Sequence, residues 1–198
     1  MRLRLKLPGG QIETVIETPV GEPRGVALIA HPHPLHGGTL DNKVAWTLAR
    51  AARASGWVAV RPNFRGVGQS EGMFDHGIGE TEDLLALMAA LAPHYPGLPW
   101  LLMGFSFGAY VQHRVAARWP VQRLLMVGPA VSMYAFDPPA VPTVIIHGSE
   151  DELIHVKHVR DYARQQGIPL HEVAGAGHFF HGRLSEVRDL AEAFCRQP

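Results

Sequence analysis

The sequence of 198 residues contains one cysteine, carries no net charge and has no apolar run long enough to span a bilayer. The single cysteine, Cys195, has no internal disulfide partner, which excludes a fold held together by disulfides. Lys and Arg together number 18, as do Asp and Glu, and this balance argues against a nucleic-acid or a membrane partner. Residues 1–7 alternate charge with leucine and do not resemble a secretion signal, so we expect a cytoplasmic protein.

Strand and helix patterns alternate along the chain. Short apolar or alternating runs predict strands at 2–7, 11–17, 25–30, 57–60, 100–103, 124–127, 143–146 and 169–173. Amphipathic stretches predict helices at 42–54, 80–92, 111–118, 155–166 and 183–196, the first of them capped by Asp41. Residues 128–142 hold four prolines and no helical period, which predicts a short, irregular connection. The alternation indicates one α/β domain, residues 1–198, with a mostly parallel sheet covered by helices on both faces.

An apolar strand leads into Gly-x-Ser-x-Gly at residues 104–108, with Ser106 at its centre, and a helical segment follows at once. Strand, sharp turn and helix in this order are the context of a nucleophile elbow, in which a strained turn exposes a serine hydroxyl. The glycines allow strand and helix to approach closely, and the first helical amides point towards any oxyanion formed at the serine. A strand–helix junction with a serine cap has the same pattern, so the elbow alone does not decide the function.

In parallel sheets, functional residues collect in the loops that follow the carboxyl ends of the strands. Here one such loop reads His-Gly-Ser-Glu-Asp at 147–151, and another contains Gly-His at 177–178. A serine hydroxyl needs a base to take its proton, and the base needs a carboxylate to orient it. A serine, an acid and a histidine, in this order on three strand ends, therefore indicate nucleophilic catalysis.

The motifs at 104–108, 147–151 and 177–178, together with the loops at 31–38 and 65–70, resemble those of the α/β-hydrolases. In size the chain is similar to the compact bacterial members without a lid, such as dienelactone hydrolases. The resemblance covers essentially the whole chain. It implies a central sheet of about eight strands, the second of them antiparallel, with no cap domain.

The resemblance also implies roles for three residues: Ser106 as the nucleophile, Asp151 as the acid and His178 as the base. Glu150 is the nearest rival for the acid. The family spacing of His-Gly, two further residues and Asp favours Asp151 over Glu150.

Two backbone amides are expected to stabilise the oxyanion. One belongs to Phe107, the residue after the nucleophile. The other should come from the loop after the strand at 25–30, which reads His-Pro-His-Pro-Leu. Because proline has no N–H, His33 is the predicted donor and Leu35 the alternative.

The twelve histidines raise the question of a metal, with His31 and His33, or His155 and His158, as candidate ligands. No carboxylate or cysteine is spaced to complete a site with the second pair, so no metal is expected. The glycines of 66–72 are spaced Gly-x-Gly-x-x-x-Gly with no helix directly after them, which does not fit a dinucleotide loop. No cofactor is predicted.

The sequence thus predicts a carboxylesterase-like serine hydrolase that cleaves small-molecule esters through an acyl-enzyme. Its pocket should be shallow and open because the 128–142 connection leaves no room for a cap domain, and Phe105 and Phe179 are predicted to line it. Acyl-chain length and oligomeric state have no signature in the sequence. Two alternatives remain open: a peptidase or acyltransferase with the same triad, and a non-catalytic ligand-binding protein on this fold.

Overall fold

The computed structural model describes residues 1–197, so that Pro198, the last residue of the predicted domain, lies outside the described residues. The strands are β1 (Arg2–Leu7), β2 (Gly10–Glu17), β3 (Gly25–Ala30), β4 (Trp57–Pro62), β5 (Trp100–Phe105), β6 (Arg123–Val127), β7 (Thr143–Gly148) and β8 (Leu170–Val173). The helices are α1 (Lys43–Ala54), α2 (Ile78–Leu91), α3 (Phe107–Ala116), α4 (Val156–Gln166) and α5 (Leu184–Arg196), with short 3₁₀ turns at Pro34–His36 and Ala92–His94.

All eight strands form one sheet in the order β1-β2-β4-β3-β5-β6-β7-β8. β2 is antiparallel to both of its neighbours, and the strands from β4 to β8 in this order are mutually parallel. The prediction of a mostly parallel eight-stranded sheet with an antiparallel second strand is therefore confirmed. The carboxyl ends of six strands meet at one edge, which we call the carboxyl edge.

The sheet separates two apolar cores. Every residue of β3, β4, β5 and β6 is buried, which explains why these strands appear in the sequence as short, mostly apolar runs. α2, α3 and α4 cover one face, and α1 and α5 cover the other. Side chains of β5 alternate between them, with Leu102 on the α3 side and Met103 on the α1 side.

The predicted cap of α1 is wrong by one residue. Asn42, not Asp41, accepts the helix N–H groups, with its Oδ1 at 2.9 Å from Val44 N. The carboxylate of Asp41 instead accepts from the Arg2 guanidinium at 2.6 Å. Both are good capping residues, and the folded chain places Asn42 at the cap and Asp41 beside Arg2 of β1.

Two boundaries differ from the prediction in a way that matters for the site. α3 begins at Phe107 instead of residue 111, because the strand–turn–helix junction has no intervening loop. β5 continues to Phe105, directly before Ser106. The connection at 128–142 contains neither helix nor strand, as predicted, and no cap domain lies over the carboxyl edge within residues 1–197.

Candidate active site

Ser106 lies in the sharp turn between β5 and α3, with a φ of 55° and a ψ of −117°. A positive φ is uncommon for a residue with a side chain and is retained only where the surroundings enforce it. Here the Ser106 N–H donates to Val127 O of β6 at 2.9 Å, and a Cβ on Gly104 would overlap the carbonyl of Gly108. The turn therefore directs the serine hydroxyl outwards at the carboxyl edge.

His178 connects this serine to an acid. Its Nε2 is 3.0 Å from Ser106 Oγ, and its Nδ1 is 2.7 Å from Asp151 Oδ2. Because an ionised carboxylate can only accept, Nδ1 carries the proton and Nε2 is free to accept from the serine hydroxyl. Asp151, and not its exposed neighbour Glu150, contacts the histidine. This geometry permits Nε2 to take the proton of Ser106 Oγ.

The carboxylate of Asp151 is buried and surrounded by donors. Its Oδ1 accepts from Leu153 N–H at 2.9 Å and from Ile154 N–H at 2.7 Å, while Oδ2 accepts from His178. Burial raises the pKa of Asp151, but the hydrogen bonds from His178 and Ile154 and the nearby imidazoles outweigh it, so the pKa lies below its ordinary value. The acid is therefore ionised at neutral pH.

A second histidine lies behind the acid. His147 Nε2–H donates to Ile154 O at 2.8 Å, and the same nitrogen lies 3.4 Å from Asp151 Oδ2. The ring is fully buried, and Nδ1 has no hydrogen-bond partner within residues 1–197. Burial lowers the pKa of His147, which keeps the imidazole neutral at neutral pH. The sequence analysis assigned no role to His147, although this residue opens the motif that ends in Asp151. Its position four residues before the acid is the feature from which a role could have been predicted.

The two phenylalanines predicted to line the pocket occupy different places. Phe179 is 40% exposed, and its ring stands nearly perpendicular to that of His178 at 5.2 Å between centroids. Phe105 is fully buried, with its ring 5.1 Å from His178 on the core side. The structure corrects the prediction for Phe105: as the last residue of β5 it points into the core, where it supports the imidazole and is out of reach of a substrate. The substrate contact of Phe179 stays a prediction.

The loop after β3 packs directly on the elbow. A Cβ on Gly108 would overlap the carbonyl oxygens of Ala30 and His31, so α3 approaches this loop as closely as two backbones can. His31 is fixed on both sides of its ring, because Nδ1–H donates to Pro32 O at 2.7 Å and Nε2 accepts from Phe64 N–H at 3.0 Å. Burial lowers the pKa of His31 to about 4.

The two predicted oxyanion donors, Phe107 and His33, lie on neighbouring segments, with their rings 5.1 Å apart. Phe107 opens α3 and has no preceding turn to which its N–H can donate. Within residues 1–197 neither its N–H nor that of His33 forms a hydrogen bond. Leu35 N–H, the alternative, donates to His33 Nδ1 at 3.2 Å. The geometry favours His33 over Leu35, and both oxyanion assignments stay predictions.

Three of the four histidines weighed as metal ligands, His31, His33 and His155, form hydrogen bonds through their rings. Both ring nitrogens of His31 are in hydrogen bonds, and His155 Nδ1 accepts from Lys157 N–H at 3.2 Å. His155 and His158 lie 6.3 Å apart between ring centroids. The described residues contain no group of three or more His, Cys, Asp or Glu side chains arranged to hold a metal ion.

The glycine loop at 66–72 lies between β4 and α2, and the residues just before it contact neighbouring elements. Asn63, just before it, accepts from Leu40 N–H at 2.7 Å and donates to Glu13 Oε2 at 2.7 Å. Arg65 forms two hydrogen bonds with Asp83 of α2, at 2.7 and 2.8 Å. These contacts tie the segment that leads into the loop to β2 and α2.

Known proteins show the same combination of fold and sequence. Residues 21–141 match a family model described as serine aminopeptidase, S33. The chain is similar to an α/β serine hydrolase homologue from Coxiella burnetii, with 41% identity, a TM-score of 0.93 and coverage of 98% of this chain and 96% of that one. It is also similar to a serine hydrolase without lid from Xanthomonas campestris, with 35% identity, a TM-score of 0.94 and coverage of 99% and 93%.

Among curated proteins, a monoacylglycerol lipase of Mycolicibacterium smegmatis is 31% identical over 64% of this chain. That alignment covers 45% of the lipase. The two structural similarities, in contrast, span nearly the whole of both chains.

Proposed function

The chain belongs to the α/β serine hydrolases, in the family whose model is described as serine aminopeptidase, S33, and we propose that it hydrolyses carboxylic esters through an acyl-enzyme. The observation that carries the proposal is the line of hydrogen bonds from Ser106 Oγ through His178 to Asp151. The three side chains come from the ends of β5, β8 and β7 and are brought together at the carboxyl edge. An ionised, buried carboxylate that orients an imidazole towards a serine hydroxyl is what activation of a serine requires.

In the proposed reaction, Ser106 Oγ attacks the carbonyl carbon of the ester while His178 Nε2 takes the hydroxyl proton. The carbonyl oxygen becomes an oxyanion, which accepts from the N–H groups of Phe107 and His33. His178 then donates the proton to the alcohol as the C–O bond breaks, and the acyl group stays on Ser106. Water that gives its proton to His178 attacks the acyl carbon, and the carboxylic acid leaves as Ser106 Oγ recovers its proton. Asp151 stays ionised and stabilises the imidazolium throughout.

Two observations support an ester and an open site. The connection at 128–142 has no helix or strand, so the serine is not covered by a cap, and Phe179 lies exposed beside the base. A curated relative is named a monoacylglycerol lipase, which supports an ester as the substrate. An open site accommodates small or extended acyl groups better than long chains that need a deep tunnel.

The description of the matching family favours a second candidate, an aminopeptidase, because the same triad cleaves amides. The match ends at residue 141, before both Asp151 and His178, so it is carried by the elbow half of the chain. Turnover of nitrophenyl esters compared with turnover of aminoacyl nitroanilides separates the two candidates. A higher kcat/KM for the anilides would favour the peptidase.

The proposal is tested by Ser106→Ala, which should abolish both ester turnover and labelling by a fluorophosphonate. Ser132→Ala is the matched control, because this serine is exposed on the connection after β6 and should leave both readouts unchanged. A Ser106→Ala protein that is still labelled would place the nucleophile elsewhere. A wild-type protein that is stabilised against heat by esters without hydrolysing them would instead favour the non-catalytic binding protein.

A further inference from the structure

Large apolar side chains are exposed mainly at one edge of the molecule. Among residues 1–197, those exposed are Met1, Val20, Leu35, Trp46, Met73, Ile78, Met133, Leu153 and Phe179. Six of these nine lie at the carboxyl edge and together form what we call the apolar face: Leu35, Met73, Ile78, Met133, Leu153 and Phe179. Their exposed fractions run from 40% for Phe179 to 82% for Met73. Exposed apolar groups that collect in one region mark a surface that contacts something apolar.

The apolar face surrounds the candidate nucleophile. Ser106 follows β5, which lies in the middle of the sheet. On one side of β5, Leu35 follows β3, and Met73 and Ile78 follow β4. On the other side, Met133 follows β6, Leu153 follows β7 and Phe179 follows β8. Every parallel strand beside β5 thus contributes an exposed apolar side chain to the region from which a substrate reaches the serine.

The charges of the loops that carry the apolar face indicate whether a charged or an uncharged lipid surface would bind there. The loops are those at 31–42, 63–77, 128–142, 149–155 and 174–183, and none of them contains lysine. Their two arginines are in ion pairs, Arg65 with Asp83 at 2.7 Å and Arg183 with Glu186 at 3.1 Å. Five acidic residues are exposed on these loops: Asp41, Glu71, Asp137, Glu150 and Glu152. An anionic bilayer attracts clusters of unpaired cations, so this face fits an uncharged or zwitterionic lipid surface instead.

The contact would be superficial. None of the helices of residues 1–197 has the length and apolar character needed to cross a membrane. The apolar side chains are carried by loops and by the first residue of α2, so they can enter an interface without a change of secondary structure. Phe179 and Leu153, next to His178 and Asp151, would bring the reacting groups to the level of the lipid esters.

We propose that the apolar face rests on an uncharged lipid–water interface, from which the ester bonds of apolar acyl chains reach Ser106. The acyl chain then stays largely in the lipid, which removes the need for a deep acyl tunnel in a protein without a cap. The ester part of this statement rests on the proposed function, whereas the contact with lipid does not. The sequence predicted no membrane partner because it has neither a spanning segment nor a basic patch. The proposed contact needs neither of these, and it departs from that prediction.

Binding is measured with the Ser106→Ala protein, so that turnover does not alter the lipid. It should cosediment with vesicles of phosphatidylcholine, and replacing a third of this lipid by phosphatidylglycerol should weaken the binding. Met73→Ser combined with Met133→Ser removes exposed side chains on both sides of β5 and should weaken the binding about tenfold. Val20→Ser is the matched control, because Val20 is 98% exposed and lies outside the apolar face. Ile78→Ser is an independent variant of the same face, should the double variant fold poorly.

The proposal is overturned if the protein does not bind phosphatidylcholine vesicles, if it prefers the anionic vesicles, or if the variants of the apolar face bind as well as Val20→Ser. It is also overturned if the double variant abolishes dimers in gel filtration without changing vesicle binding, since the face would then join two copies of the chain. The hydrolysis of a dissolved short-chain nitrophenyl ester by the wild type is measured separately. Vesicle binding without that hydrolysis would contradict the proposed function and leave the lipid contact standing.

Discussion

His147 lies directly behind Asp151, with its Nε2 3.4 Å from the oxygen that accepts the hydrogen bond of His178. The same nitrogen is 2.8 Å from Ile154 O, in the turn whose N–H groups bind the other carboxylate oxygen. The buried N–H of His147 therefore stabilises the turn whose N–H groups bind Asp151. We infer that His147 positions the acid without contacting the serine.

Replacing His147 by leucine should lower kcat/KM for a soluble nitrophenyl ester about tenfold, mainly through kcat. The physical reason is that Ile154 O loses its buried donor and the turn that holds the Asp151 carboxylate loosens, while the surface that receives the ester is unchanged. His147→Gln, which can place an amide N–H near the position of Nε2, should recover most of the rate. A loss confined to KM, or equal losses in both variants, would contradict a positioning role.

The second oxyanion donor can be tested by a proline substitution. The backbone of His33 has a φ of −54° and a ψ of 122°, which proline adopts without strain. His33→Pro should therefore remove the N–H, keep the loop and lower kcat by a factor of about 100 or more. His33→Ala keeps the N–H and removes only the imidazole, so its kcat should fall far less. Similar rates for both variants would favour Leu35, whose N–H the imidazole occupies.

Gly108 should not tolerate a methyl group, because a Cβ there would overlap the carbonyls of Ala30 and His31. We expect Gly108→Ala to lower the free energy of unfolding by about 2 kcal/mol and to reduce activity further, since the elbow and the loop after β3 must separate. Gly167→Ala is the control: its φ is 65° but no atom lies within 4 Å, so it should cost about 1 kcal/mol through the backbone alone and leave kcat unchanged. Urea unfolding and ester turnover measure the two effects.

The buried His31 should make the stability depend on pH. Its folded pKa is about 4 and its unfolded pKa is 6.5, so the unfolded chain binds more protons between these values. The free energy of unfolding should thus fall as the pH decreases through this window, by about 2 kcal/mol between neutral pH and about pH 5. His31→Asn keeps a donor for Pro32 O, and it should be less stable at neutral pH but lose less on acidification. Urea unfolding at both pH values tests this, and an unchanged pH dependence would contradict it.

The sequence predicted the sheet well because its central strands are buried on both faces and therefore leave short apolar runs with few polar interruptions. It also predicted which residues meet at the carboxyl edge. A serine, an acid and a histidine that follow three parallel strands lie at this edge even if the predicted strand boundaries are wrong by a few residues. His178 does lie within hydrogen-bond distance of both Ser106 and Asp151.

Other features needed the folded chain. Asp41 and Asn42 are equally good caps, and the sequence does not show that Asp41 contacts Arg2 while Asn42 accepts from the helix. Phe105 adjoins Ser106 in the sequence, but a strand directs neighbouring side chains to opposite sides, and Phe105 shares the core face of Met103.

The apolar face could not be predicted from the sequence either. Leu35, Met73 and Met133 are separated by dozens of residues, and each is unremarkable alone. Only the strand order brings them to the two sides of Ser106.

The backbone contact at Gly108 has a consequence for how the site fails on heating. No side chain separates α3 from the loop after β3, and both are anchored on strands buried at the centre of the sheet. The segments that carry the amides of Phe107 and His33 are therefore joined by a direct backbone contact at Gly108. We expect them to separate only when the sheet itself unfolds. Thermal inactivation should coincide with loss of the whole fold, and the amides of β3 and β5 should exchange with solvent only by global unfolding.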